Sequence, residues 1–149
     1  LIIKMLLSKK SFAMSNEVHG HLIHDEFDVR VTKHSRLLCK VMVFKSAKKM
    51  RKFIRAHGGR IQSDAVGRTD TIDPSLKSCY FAFIHIPMNY PLEVVAHEAV
   101  HAGFEYGRRV GKSRVFASPG DQKEENVCYP AGRITQAIWT RIQSDMGRR

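Results

Sequence analysis

His97, Glu98 and His101 stand in the run His-Glu-Ala-Val-His, the pattern HExxH. Four residues of helix advance the chain by about 400° and roughly 6 Å, so both imidazoles project from one face at a separation that one metal ion bridges. Zinc suits such a pair. It takes neutral imidazole nitrogen at about 2.0–2.1 Å in tetrahedral geometry, and hydrolytic sites add one further protein ligand and leave the fourth position to water. Glu98 lies about 100° further round the helix, beside the metal without ligating it. Val94, Val95, Ala96, Ala99, Val100 and Ala102 around the motif are all uncharged, as a helix buried on its other faces requires. Ala99, Ala102 and Gly103 leave room for a neighbouring helix to approach closely.

A third ligand is expected on a second helix that reaches the same metal. The metzincin continuation is excluded, because it needs Gly at 104 and His at 107, where the chain has Phe104 and Gly107. The downstream acids are Asp121, Glu124 and Glu125. Glu125 opens a helical face shared with Cys128, Tyr129 and Gly132, far enough after His101 for one helix to end and a second to start antiparallel to it. One residue of helix phase would exchange Glu125 for Glu124. Pro130 is expected to break or kink this second helix just after Tyr129. Cys128 is expected to be a small buried residue behind Glu125, with a thiolate ligand as the other reading.

The segments VVAHEAVHAGF and DQKEENVCYPAGRI resemble the small zincin-like metallopeptidases of the gluzincin type, including compact versions found in bacteria and their phages. The likeness covers about 91–135, is weaker over 79–86, and does not extend to the first 75 residues. It implies a Zn²⁺ cofactor bound by His97, His101 and Glu125, with Glu98 as the base. It implies a peptide or protein substrate aligned by an edge strand around Phe81 to Ile86, and a His or Tyr that stabilises the tetrahedral intermediate, for which Tyr129, His85 and Tyr106 are the candidates. Many gluzincins carry an Asp four residues after the ligand Glu; here that position is Tyr129. In this family a zinc-bound water, its pKa lowered to about 7, attacks the scissile carbonyl while the glutamate takes its proton and delivers it to the departing amine.

Several elements must position these residues. Pro91 suits the first turn of a helix from Leu92 to about Arg109, with Leu92, Val95, Ala99, Ala102 and Tyr106 along one face and Gly107 and Gly111 bracketing its end. A ligand-bearing helix is expected near 122–144, clearest from Ala131 to Met146, where Ile134, Ala137, Ile138, Arg141 and Ile142 recur at three- and four-residue steps. Strands are expected at Leu37 to Phe44 and Cys79 to Ile86, with a short alternating piece at Phe27 to Val31. Ser46 reads as the N-cap of a helix from Ala47 to His57 that Gly58 and Gly59 terminate. Residues 60–76 read as a loop. The expected fold class is α+β, zincin-like, with a small mixed or antiparallel sheet packed on the HExxH helix and the ligand helix.

The chain has 149 residues, enough for one ordinary domain and too few for two, so any catalytic site shares the core that holds the fold together. Residues 1–18 are expected to form a flexible tail or extension and 19–149 the single domain. Hydrophobic residues at 43% and charged residues at 26% exclude disordered and fibrous architectures. The longest uncharged apolar stretches are far shorter than the roughly 20 residues that cross a bilayer, so no membrane partner is expected. Cys39, Cys79 and Cys128 form no CxxC pair, which favours reduced thiols in the cytoplasm. His19, His21, His24 and His34 read as polar surface positions rather than a metal cluster.

The formal charge is +11, which attracts anions. Its densest part is Lys45 to Arg60, with Lys45, Lys48, Lys49, Arg51, Lys52, Arg55 and Arg60 and no acid, either a solvated helix face or a surface for an acidic partner or nucleic acid. Arg108, Arg109, Lys112 and Arg114 read either as a rim for an acidic substrate or as solvated cations at a helix end. Zinc-dependent peptide hydrolysis leads. The rivals are a basic nucleic-acid-binding protein with structural zinc and an inactive metallopeptidase-like module that binds a protein; neither has a use for the non-ligating Glu98.

Overall fold

A computed structural model describes residues 21–111 and 122–146. Its elements are strand β1 (Ile23–Arg30), strand β2 (Leu38–Phe44), helix α1 (Ala47–Ala56), strand β3 (Arg68–Thr71), a 3₁₀ turn (Pro74–Leu76), strand β4 (Tyr80–Pro87), helix α2 (Leu92–Gly111) and helix α3 (Gln122–Met146). The four strands form one mixed sheet in the order β1-β2-β4-β3. Strand β2 runs antiparallel to β1 and parallel to β4, and β3 closes the far side antiparallel to β4. The architecture is α+β, a small mixed sheet with three helices.

Side chains alternate across the sheet and build two cores. Met42, Phe44 and Phe83 meet Met50, Phe53 and Ile54 of α1, together with Leu22 and Ile72. On the opposite face Val41, Val43, Ala82, Ile84 and Ile86 meet Val95, Ala99 and Ala102 of α2 and Ile134, Ile138 and Ile142 of α3. Apart from the buried Lys40 and His85, the two inner strands are apolar on both faces because helices cover both.

Helix α1 starts as its sequence implies. Ser46 is extended and its Oγ accepts the Lys49 amide at 3.2 Å, and Gly58 takes the positive φ of 79° that ends the helix without a Cβ clash. Two expectations fail nearby. The stretch 60–76 contains strand β3 and the 3₁₀ turn rather than loop alone. Strand β4 is internal, between β2 and β3, so Phe81 to Ile86 cannot be an edge strand; the edge beside it is β3.

Helices α2 and α3 pack through glycines. A Cβ built on Gly103 would stand 2.7 Å from the Val127 carbonyl oxygen, and one on Gly107 3.1 Å from the Asn126 carbonyl oxygen. Residues further along α2 thus face residues earlier in α3, and the helices run antiparallel. Gly107 therefore sits inside α2, which continues to Gly111, and serves close approach rather than termination. Helix α3 continues through Pro130, so of the expected break or kink the break does not occur. Proline has no amide to offer the Asn126 carbonyl four residues back, and that carbonyl lies against Gly107, so packing on α2 holds the turn in place of the missing bond.

Candidate metal centre

His97 and His101 lie on the exposed face of α2, with Nε2 atoms 3.1 Å apart and rings edge to face at 81°. Two imidazole nitrogens that share one tetrahedral zinc lie about 3.3 Å apart, so the pair is spaced to hold such an ion. The same separation lets one ring N–H donate to the other ring's nitrogen. Val100 and Phe104 share this face and are themselves exposed, so the helix is covered on its other flanks only.

Glu98 points elsewhere. It is 6% exposed, wedged between α2 and β3, where Thr69 Oγ1 lies 2.7 Å from its Oε2 and 2.9 Å from its backbone oxygen. Its other oxygen, Oε1, lies over Gly67, where an added Cβ would meet it at 2.8 Å. Thr69 and Gly67 were not legible as site residues. The Thr-Asp-Thr alternation of β3 was the available signal, but four residues flanked by Gly67 read equally well as loop.

The alternation of β3 turns Asp70 to the α1 side of the sheet. Arg68 Nε donates to Asp70 Oδ1 at 2.8 Å, and His85 Nε2 stands 3.3 Å from Asp70 Oδ2. That last contact is long and poorly aligned, an electrostatic neighbour rather than a directed hydrogen bond. Burial by itself raises the Asp70 pKa; the His85 imidazole and the Arg68 guanidinium overcome it and hold the carboxyl below its ordinary value. His85, 1% exposed, is stacked on Phe44. The sheet thus separates it from the imidazoles of α2, away from the oxyanion role expected of it.

Glu125, Tyr106 and Tyr129 gather at another place. With Val31, Thr32, Val110, Asn126 and Pro130 they line a cavity of about 420 Å³. Tyr106 is five residues beyond His101, about 140° round the helix and roughly 7.5 Å along it, so the cavity lies on a different flank of α2 from the imidazoles. Tyr106 packs edge-on against Phe81 at 5.3 Å, and Tyr129 is 53% exposed. The structure therefore brings His97 to His101 but does not bring Glu125 or either tyrosine to them. Among the described residues no three His, Cys, Asp or Glu side chains are grouped to hold a metal ion. Asp121 and the Glu124 side chain lie outside the described residues. The reason for the miss is helix roll: spacing places Glu125 on a face of α3, but the Gly103 and Gly107 contacts decide which way that face turns.

Two smaller expectations are corrected. Cys128 is exposed, not buried behind Glu125, while Cys39 is fully buried, where desolvation and then the Asp28 charge push its thiol far above the ordinary range. Arg109 is no solvated rim cation. It donates to Glu105 Oε1 at 2.8 Å and to the Ile72 carbonyl, pinning α2 to the chain just after β3 around a buried glutamate. Lys112 and Arg114 lie outside the described residues, as does His19, and no described histidine of 21–34 joins a metal group. No described helix is long and apolar enough to cross a membrane.

Comparison with protein-family models, curated sequences and solved structures gives no significant match, so the chemistry of this site rests on its own residues.

Proposed function

We propose that the protein is a zinc-dependent peptide hydrolase of zincin-like organisation, with His97 and His101 as metal ligands and Glu98 as general base. The observation that carries this is the 3.1 Å Nε2–Nε2 separation next to a buried, non-ligating carboxylate on the same helix. Zinc bound there would lower the pKa of its water to about 7 and polarise a substrate carbonyl.

The chain's own residues account for the proton. Thr69 Oγ1 lies against Oε2 of Glu98, so Oε1 is the oxygen that would take the proton of an attacking water and return it to the departing amine. Gly67 has no Cβ, which would otherwise stand 2.8 Å from Oε1. A basic surface favours acidic peptides in the encounter.

Two imidazoles are one ligand short of a hydrolytic set. Glu125 becomes the third ligand if the start of α3 turns toward the imidazoles on metal binding, and Glu124 is the neighbouring choice. Zinc titration of the intact protein, of Glu125→Ala and of Glu124→Ala identifies it, since loss of the true ligand weakens retention while the other variant binds normally. Metal analysis followed by incubation with a peptide library, with and without chelator, tests the activity. Chelator-insensitive or absent cleavage would exclude it.

A further inference from the structure

Helix α1 presents cations on the side opposite its buried stripe. At 100° per residue Lys48, Lys52 and Arg55 fall opposite Met50, Phe53 and Ile54, and all three are exposed, as are Lys45 and Arg60 at the ends. Arg51 is used within the fold, donating to the Ala65 carbonyl at 2.9 Å. No acidic side chain is paired with Lys48, Lys52 or Arg55 among the described residues, and the segment 45–60 contains no acid. Three like charges within about 10 Å of helix repel one another, so the fold gains nothing from them.

We infer that this face of α1 binds the phosphate backbone of duplex nucleic acid. Two features favour that polyanion over an acidic protein and over single strands. Protein interfaces are anchored by buried aromatic and aliphatic side chains, yet the exposed large apolar residues Val66, Leu92, Val100, Phe104, Val110 and Tyr129 all fall outside 45–60. Single-strand binders stack bases on exposed aromatics, and Phe53, the one aromatic residue of α1, is buried. A duplex, with one charge per about 1.7 Å of axis, needs only cations held at a fixed spacing. The sheet lies between α1 and α2, so a bound duplex leaves His97 and His101 uncovered. The inference is therefore independent of the hydrolase reading.

The test is anisotropy of a labelled 20-base-pair duplex titrated with the full chain across a salt series. The triple variant Lys48→Gln, Lys52→Gln, Arg55→Gln is compared with a charge-matched control on other exposed cations, Lys33→Gln, Arg36→Gln, Arg133→Gln. At about 0.9 per phosphate contact, the first variant is expected to flatten the slope of log K against log salt by between about 2 and 3 and to weaken binding at least tenfold. The control should keep both within a factor of about three. The double variant Lys48→Arg, Lys52→Arg, with Arg55 kept, should retain binding and shows that charge, not lysine, is read. Equal losses in both glutamine variants, absence of duplex binding at low salt, or competition by polyglutamate but not by duplex would each overturn the inference.

Discussion

Thr69 Oγ1 lies 2.7 Å from Glu98 Oε2, so the edge strand β3 reaches across to hold the one acidic side chain of the HExxH motif. A hydroxyl has a single proton, and at this site two acceptors of the same residue compete for it. Removing the hydroxyl at nearly constant volume isolates that contact. Thr69→Val is expected to lower kcat at least tenfold, on the scale of a lost hydrogen bond to a charged group, with KM and zinc retention unchanged. Thr69→Ser should restore it. Steady-state kinetics and metal content are the measurements.

Glu98→Gln keeps the shape and the bond from Thr69 but cannot accept a proton. Zinc should stay bound, while turnover should fall by two to four orders of magnitude, roughly the range for loss of general-base catalysis. Near-normal turnover in this variant would falsify the mechanism.

Gly67→Ala probes the space over Oε1. The intruding Cβ would come within 2.8 Å of that oxygen and 2.9 Å of Glu98 Cγ, so the Glu98 side chain is the group that must shift. Thermal midpoint should change little, with an activity loss of about tenfold or more. A large drop in midpoint instead would show that Gly67 serves the backbone rather than the carboxylate.

Gly103→Ala and Gly132→Ala form a matched pair. At Gly103 the new Cβ meets the Val127 backbone oxygen at 2.7 Å, whereas nothing lies within 4 Å at Gly132. The first must push α2 and α3 apart and should cost about 1–3 kcal/mol; the second should stabilise by up to about 1 kcal/mol through helix propensity. Denaturant melts of the two variants should therefore move in opposite directions.

Asp70 sets an acid limit on stability. Its folded pKa lies below the ordinary 3.8, so its contribution is fully present above that value. It is lost progressively as pH falls from there through the depressed folded value. Asp70→Asn should be less stable than the parent at neutral pH and should show a shallower loss of stability below pH 3.8. Urea melts between neutrality and strong acid check the sign.

What the sequence made legible was local. HExxH spacing, the Ser46 cap and the stripe Val95, Ala99, Ala102 and Tyr106 each depend on neighbours a few residues away, and the structure keeps them, whereas Leu92, expected at the head of that stripe, is exposed. What it hid was set by pairing at a distance. Arg68 to Thr71 is a strand because β4 offers it hydrogen-bonding partners, not because Arg-Thr-Asp-Thr prefers to extend. The interior place of β4 follows from that pairing. Pro130 stays helical because α2 supports the turn, and Glu125 faces its cavity because two glycines fix the roll of α3.

The passage of α3 through Pro130 also divides that helix in two mechanically. Lacking one rung of its own ladder at Asn126, the turn depends on Gly103 and Gly107 as a latch, and the residues before it form a short lever with the proline as its pivot. Loosening the latch would free the end that carries Glu125 while the isoleucines of the longer arm stayed seated, which gives the carboxylate a route of travel that leaves the core intact.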